Sequence, residues 1–327
     1  MQSSSGSART LTLLCVCFLL LTKAALSQFS TDPFTPTLAD MDRETRNRGY
    51  KNQPQYVVVD LPEKKLLSYY PELKGLTAAP SQDELSKLLE KVGANESQVL
   101  NSMPTISADE KVVQEQLDKH GFERGQPVFS GSFSYLVRAH VVGEGVRFSE
   151  GRTDEHWQPI DPHVPSGYSL TEGFALLPVH FHPFHQDNAR FRYLGRQIQD
   201  GREDYVVAFA QQPEKSELLG TVRVNGSEIV VAYQGIAWID PESFQIVRMR
   251  TDLLKARPEV GTEMTEARFR EVRLPVIAKS FWLPTEAVVT RSTKDGALQE
   301  KHQFSNYRIF VQSKDGQASQ PGTPAPK

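Results

Sequence analysis

Beyond position 17 the chain has no cysteine, because its only two, Cys15 and Cys17, stand near the start of its 327 residues. If that start is a leader, the mature chain carries no disulfide, no thiolate metal site and no cysteine nucleophile. Long apolar runs are also missing. Residues 11–21 give about 11 apolar positions in a row, well short of the ~20 that a membrane-spanning helix needs. There is no excess of positive charge either. The formal net charge is −3, which gives no reason to expect nucleic acid or an anionic lipid surface as partner. Finally, the common catalytic signatures are absent: no Gly-x-Ser-x-Gly elbow, His-Glu-x-x-His helix, P-loop or dinucleotide fingerprint occurs. Nothing assembles a catalytic site, the balance leans against an enzyme, and no cofactor is implied.

What is present begins with export. Residues 1–27 read as a secretory signal peptide: Arg9 without an acidic residue, the short apolar run, then Ala25-Leu26-Ser27 as a small-residue cleavage site. This predicts a secreted or periplasmic protein of about 300 residues with no membrane span. Residues 28–55 read as an extended polar arm. Residues 56–122 read as a short strand (56–61) followed by two helices. The first, 81–93, has a Ser81/Glu84 capping box and Gly93 as its C-cap; the second, 107–121, repeats the pattern with Ser107/Glu110 and ends at His120-Gly121. Residues 312–327, rich in proline and glycine, read as a disordered tail.

From Val128 the apolar period changes from 3.6 to 2. Phe129, Phe133, Tyr135 and Val137 share one face, Ser130, Ser132 and Ser134 the other. Residues 150–177, broken by Pro159, Pro162 and Pro165, read as a long irregular connection. Then apolar runs alternate with tight-turn dipeptides: Asp200-Gly201 between 196–199 and 205–210, Asn225-Gly226 between 221–224 and 229–239, Asp240-Pro241 before 246–251, and Asp295-Gly296 after 281–290. Asn-Gly and Asp-Gly supply the positive φ that two-residue hairpins require. The fold class is therefore α+β: an antiparallel β meander over residues 128–311, long-stranded enough for a curved half-barrel, with the two N-terminal helices packed on it.

Two clusters are candidates for function. The central strands are apolar on both faces, so both faces must be covered. Tyr205, Val207, Phe209, Trp238 and Trp282 are the side chains expected to line an apolar cavity for a lipid or other apolar molecule. The second cluster is His180, His182 and His185. If residues 179–182 are extended, His180 and His182 share a face, and His185 beyond Pro183 completes three imidazoles suited to zinc, copper or iron. The same spacing also occurs in half-buried strands where each ring donates to a backbone carbonyl, and that structural or pH-sensitive reading is favoured over a metal site.

Tyr193-Leu194-Gly195, Asp200-Gly201-Arg202 and Tyr205-Val206-Val207 resemble the strand–turn–strand of the periplasmic lipoprotein-carrier superfamily (LolA/LolB-like, including the RseB type). Gly235-Ile236-Ala237-Trp238-Ile239-Asp240 and Phe281-Trp282-Leu283-Pro284 are similar to its following strands. The resemblance spans roughly residues 128–311 and implies an open half-barrel whose helices help enclose a cavity for acyl chains. The chain as a whole is also similar to secreted bacterial proteins that carry no assigned activity. It departs from the carrier pattern in placing its helices before the meander and in the histidine cluster. The expectation is an exported protein that binds a lipid or a lipoprotein acyl chain. The alternatives are an envelope protein-binding or sensor module with a filled core and a metal site at the histidines.

Overall fold

The computed structural model describes residues 56–312, apart from 143–144, 200, 217–218, 275 and 294–295, together with 318–319. The signal peptide, the extended arm and almost all of the tail lie outside the described residues, as do Asp200 and Asp295 of two turns. Eleven strands form one antiparallel sheet. In chain order its elements are β1 (Thr77–Ala78), α2 (Leu85–Ser102), β2 (Ile106–Asp118), β3 (Phe129–Val142) and β4 (Gly145–Thr153), preceded by α1 (Glu63–Tyr69). A 3-10 helix (Phe174–Phe181) and α3 (Pro183–Gln186) lead into β5 (Ala189–Gln199) and β6 (Arg202–Gln211). A side hairpin of β7 (Gly220–Val224) and β8 (Ser227–Val231) follows, then β9 (Tyr233–Ile239), β10 (Ile246–Leu253), β11 (Glu263–Leu274), β12 (Lys279–Thr293) and β13 (Gly296–Ile309). A short ribbon of β14 (Val311–Gln312) and β15 (Ala318–Ser319) ends the described chain.

The sheet runs β1-β5-β6-β9-β10-β11-β12-β13-β2-β3-β4. Its ends, β1 and β4, do not pair with each other, so it is an open, curved sheet and not a closed barrel. The meander is real from β9 to β13, and Asn225-Gly226 turns at φ 49° and 80° as expected. Two features reorganise the rest. The run 229–239 splits at Ala232, so that β8 leaves with the side hairpin and only β9 joins the main sheet. The N-terminal strands β2–β4 then add onto β13, extending the sheet beyond the last strand of the meander.

The second expected helix, 107–121, is strand β2. Its buried positions alternate: Ala108, Glu110, Val112 and Gln114 face inward. With two of those four polar, the period-2 signal vanishes from the sequence, and Ser107/Glu110 imitates a capping box. Residues 56–61 are a 3-10 turn (Val58–Asp60), not a strand, and α1 follows. The first helix is also displaced. Ser81 donates to Asp83, and Gln82 spans to the backbone of Tyr193, accepting from its N–H (2.8 Å) and donating to its carbonyl (2.9 Å). With these side chains engaged elsewhere, α2 starts at Leu85 and runs through Gly93 to Ser102. Gly93 is a mid-helix contact, because a Cβ there would stand 2.7 Å from Gln186 Nε2 and 3.0 Å from Pro183 Cγ. The helical pieces are threaded between strands: α2 crosses from β1 to β2, and the 3-10 helix with α3 crosses from β4 back to β5.

Both faces of the central strands are covered by the chain itself. Val207 and Phe209 of β6 pack with Ala237, Ile239 and Met249 beneath Leu88 and Val92 of α2 and Phe174, Leu177 and Phe181 of the 3-10 helix. Val206, Ala208 and Ala210 pack on the opposite face with Ile236 and Trp238, beneath Val58, Leu61, Leu66 and Leu73. That outer cover is pinned by Glu72–Arg250 (2.5 Å) and by Val58 N–H donating to Gln234 (2.7 Å). In the middle of the sheet a Cβ at Gly235 would overlap the Arg250 carbonyl of the neighbouring strand. Gly235→Val should therefore destabilise the fold by about 2–3 kcal/mol or more, read as a lowered denaturation midpoint at unchanged m-value.

Candidate functional site

The five apolar residues expected to share one cavity lie on two sides of the sheet. Val207 and Phe209 are fully buried under the helical layer. Tyr205, half-buried on the same side, stacks near Phe244 (6.2 Å between ring centroids) and under the Arg196 guanidinium (4.8 Å). Trp238 faces the other way. It is fully buried with the N-terminal cover, and its indole N–H donates to Gln197 Oε1 at 2.7 Å. The pairing Val206↔Trp238 and Val207↔Ala237 fixes this division, since neighbours in register share a face. Trp282 touches the margins of both clusters.

The histidine segment is helical, not extended, which removes the expected alternation. His180 closes the 3-10 helix, buried and stacked on Phe209 at 5.1 Å; burial, assisted by the nearby His185, pushes its pKa down to about 3. It is a neutral aromatic plate. His182 caps α3, with Nδ1 accepting from Phe184 N–H (3.2 Å) and Nε2 against Ser97 Oγ (3.1 Å). The rings of His182 and His185 are 5.9 Å apart. Among the described residues no three His, Cys, Asp or Glu side chains converge in a way that could hold a metal ion.

The interface between sheet and helical layer holds an ionisable group the sequence did not mark. Leu88, Val92 and Glu96 recur every fourth residue, so Glu96 stands on the apolar stripe of α2. It is 7% exposed and makes no hydrogen bond or ion pair among the described residues. Burial alone raises its pKa to about 8. The 88–92–96 spacing is present in the sequence, but a helix ended at Gly93 hides it.

The other half of this face is polar. Arg152 of β4 pairs with Glu110 of β2 (Nε–Oε2 2.7 Å), and His302 of β13 bridges Glu110 (2.8 Å) and Glu300 (2.7 Å). Arg291 continues the chain to Glu300 (3.3 Å) and Glu263. All are buried. Burial pushes the Glu300 carboxyl up, but His302 and Arg291 outweigh it and hold the pKa at about 2. Thr171, in the connection between β4 and the 3-10 helix, is gripped from three sides: its N–H donates to Glu300 (2.7 Å), its carbonyl accepts from Arg152 (2.5 Å), and its hydroxyl accepts from Arg291 (2.7 Å). The network fastens that connection over the sheet. Beside it Glu150 and Glu172 are raised by burial to about 7.

No family model matches the sequence, and no curated protein does. Among solved structures the chain is similar to a DUF1329 family protein from Desulfovibrio piger, at TM-score 0.40 and 12% identity, over 71% of this chain and 96% of that one. It is similar to a putative outer membrane lipoprotein-sorting protein domain from Vibrio parahaemolyticus, at TM-score 0.39 and 11% identity (73% and 95% covered). A LolA superfamily protein from Nitrosomonas europaea is similar at TM-score 0.31 and 8% identity (70% and 95% covered). At these identities the likeness is one of outline and reaches no site residue.

Three acids with raised pKa values, Glu96 and Glu150 buried and Glu172 half-buried, shape the pH response above about pH 6.5; below that, buried His180 acts with the opposite sign. Glu96, Glu150 and Glu172 have an ordinary value of 4.5 and sit at about 8, 7 and 7 in the fold. The stability tied to their protonated forms is whole below about pH 4.5 and is lost as pH rises through 7 and 8. Above about pH 6.5, where His180 is neutral in both states, the denaturation midpoint should fall toward pH 9. Glu96→Gln should gain a few kcal/mol over the parent at pH 9 and much less at pH 5; parallel pH profiles would contradict this assignment.

Proposed function

We propose that this protein is an exported carrier-type half-barrel that takes a lipid, a lipoprotein acyl chain or another apolar molecule between its sheet and its helical layer. The observation that carries the reading is Glu96. A permanent core has no use for an unpartnered carboxyl on the apolar stripe of its covering helix, because ionising it there costs several kcal/mol. A cover that lifts would return Glu96 to water and bare Val207, Phe209 and Tyr205 to a ligand. The attachment of α2 fits such movement. It joins no backbone ladder, and its polar ties include Asn95 Nδ2 to the Ser243 carbonyl (2.6 Å), the Ser97–His182 contact (3.1 Å) and Gln186 Nε2 to the Leu89 carbonyl (2.9 Å). Gly93 lets α2 and α3 pack closely, since a Cβ there would meet Gln186 and Pro183. Trp238 belongs to the opposite layer and has no part in this pocket.

A second reading, an envelope protein-binding module with a filled core, draws on a different observation: Val207 and Phe209 are already fully buried by the chain itself. The two differ in what loosening the cover does. If the closed cover competes with ligand, Leu88→Ala, which weakens it by about 2–5 kcal/mol, raises the open fraction. Apparent affinity for a fluorescent fatty acid should then rise by roughly tenfold or more, with circular dichroism unchanged. Native mass spectrometry of protein purified from a lipid-containing envelope should show a lipid-mass adduct. Apoprotein alone, with no fatty-acid binding by parent or variant, selects the filled-core module.

A further inference from the structure

The seam under α2 holds one group able to choose a ligand by its charge. Glu96 stands on the stripe of Leu88 and Val92, 7% exposed, with no partner among the described residues. Its turn of helix is held on both sides. Asn95 donates to the Ser243 carbonyl (2.6 Å) and Ser97 meets His182 Nε2 (3.1 Å), which leaves the buried side of that turn to Glu96. The carboxyl oxygens keep a trace of contact with solvent, so a group that enters the seam can reach them.

Among the described residues no cation is placed to answer this carboxyl. The elements packed most closely on α2 are the 3-10 helix, α3 and β5, with the β9–β10 turn at its side. On β5, Arg190 pairs with Asp60 (2.7 Å) and Arg192 donates to the Leu61 carbonyl (2.5 Å). Arg196 pairs with Glu84 (3.8 Å) and Glu203 (3.2 Å). Lys91, on α2 itself, lies over the Phe244 ring of the turn at 3.9 Å. His180 is kept neutral by burial, His182 accepts from Phe184 N–H through Nδ1, and His185 packs its ring edge-on to Phe184 (5.0 Å). Burial is accordingly the one influence that acts on the Glu96 carboxyl.

We infer, resting on the apolar-pocket reading, that the ligand of this seam carries a protonated amine. The ammonium forms an ion pair with Glu96, and the hydrocarbon lies along the stripe toward Val92 and Leu88. A low dielectric penalises a lone carboxylate, but it strengthens the pair once a cation arrives. A neutral headgroup gains only a hydrogen bond there, and an anionic one meets a like charge. Leu88 and Glu96 are about 12 Å apart along the helix axis at 1.5 Å per residue, which suits a medium alkyl chain. The proton balance is defined. At neutral pH the free protein holds Glu96 as the acid, and the complex holds it as the carboxylate. Each amine bound therefore sends one proton to solvent, while the ammonium keeps its own.

The test titrates dodecylamine, dodecanol and dodecanoate by calorimetry at pH 7, below their aggregation thresholds, in two buffers of different ionisation heat. The parent should bind the amine at least about tenfold more tightly than the alcohol, and dodecanoate no more tightly than the alcohol. Only the amine should release about one proton on binding. Glu96→Gln should bring the amine down to the affinity of the alcohol and abolish the proton release. Leu88→Ala, which loosens the cover, should tighten all three probes and keep their order. Equal binding of the three probes, or an amine preference and proton release that survive Glu96→Gln, overturns the inference and leaves the apolar pocket standing. No binding of any probe, by the parent or by Leu88→Ala, removes the pocket and the inference together.

Discussion

The constraint on which the rest of this structure depends is that its central strands are apolar on both faces. An antiparallel sheet in water normally keeps one face polar, but here Val206, Ala208, Ile236 and Trp238 oppose Val207, Phe209, Ala237 and Ile239 across the same strands. A sheet of this kind is stable only as the middle of three layers. The chain supplies the outer layer from residues before β1 and the inner one from α2 and the 3-10 helix. That requirement explains a path that looks wasteful in topology: the chain crosses the inner face twice, once from β1 to β2 and once from β4 to β5.

The two layers are secured by different physics. The outer one is tied by buried ion pairs, with Glu72 on Arg250 and Arg250 in turn on Asp252 at 2.8 Å. On the inner side the connection before the 3-10 helix is tied down through Thr171 by the Glu110–Arg152–His302–Glu300–Arg291 chain. Removing one partner from such networks leaves an uncompensated buried charge, which is expensive even where the intact pair adds little. Among the described residues the helix α2 has no equivalent ion-pair anchor, and Glu96 on its apolar stripe has no partner there. The contrast between clamped and unclamped cover separates a fixed layer from a displaceable one.

The histidine segment shows how local pattern and tertiary context part company. Three imidazoles in six residues suggest convergence, but Pro178 and Pro183 bracket a helical course that sends the rings to different neighbours. His180 plates Phe209, while His182 caps α3 and meets Ser97. The same holds for the apolar strands. Alternation correctly groups Tyr205, Val207 and Phe209 as one set. It does not show that Trp238, from a strand paired one position out of step with that set, belongs to the opposite layer.

Wherever a local rule had local causes, the sequence determined the outcome: the hairpin at Asn225-Gly226, the long strand from Phe129, the meander after β9 and the need to cover two apolar faces all follow from neighbouring residues. Tertiary structure alone decided what depended on distant partners. Strand β2 reads as a helix because Glu110 and Gln114 occupy its buried positions, and they are tolerable there only because Arg152 and Glu300 arrive from 42 and 186 residues away. Likewise the burial of Glu96 was not legible, since it depends on which surface α2 covers and on the helix running past Gly93. Burial of a charge is a property of the assembled layers, and for Glu110 and Glu72 the counter-charge, Arg152 or Arg250, comes from a distant strand.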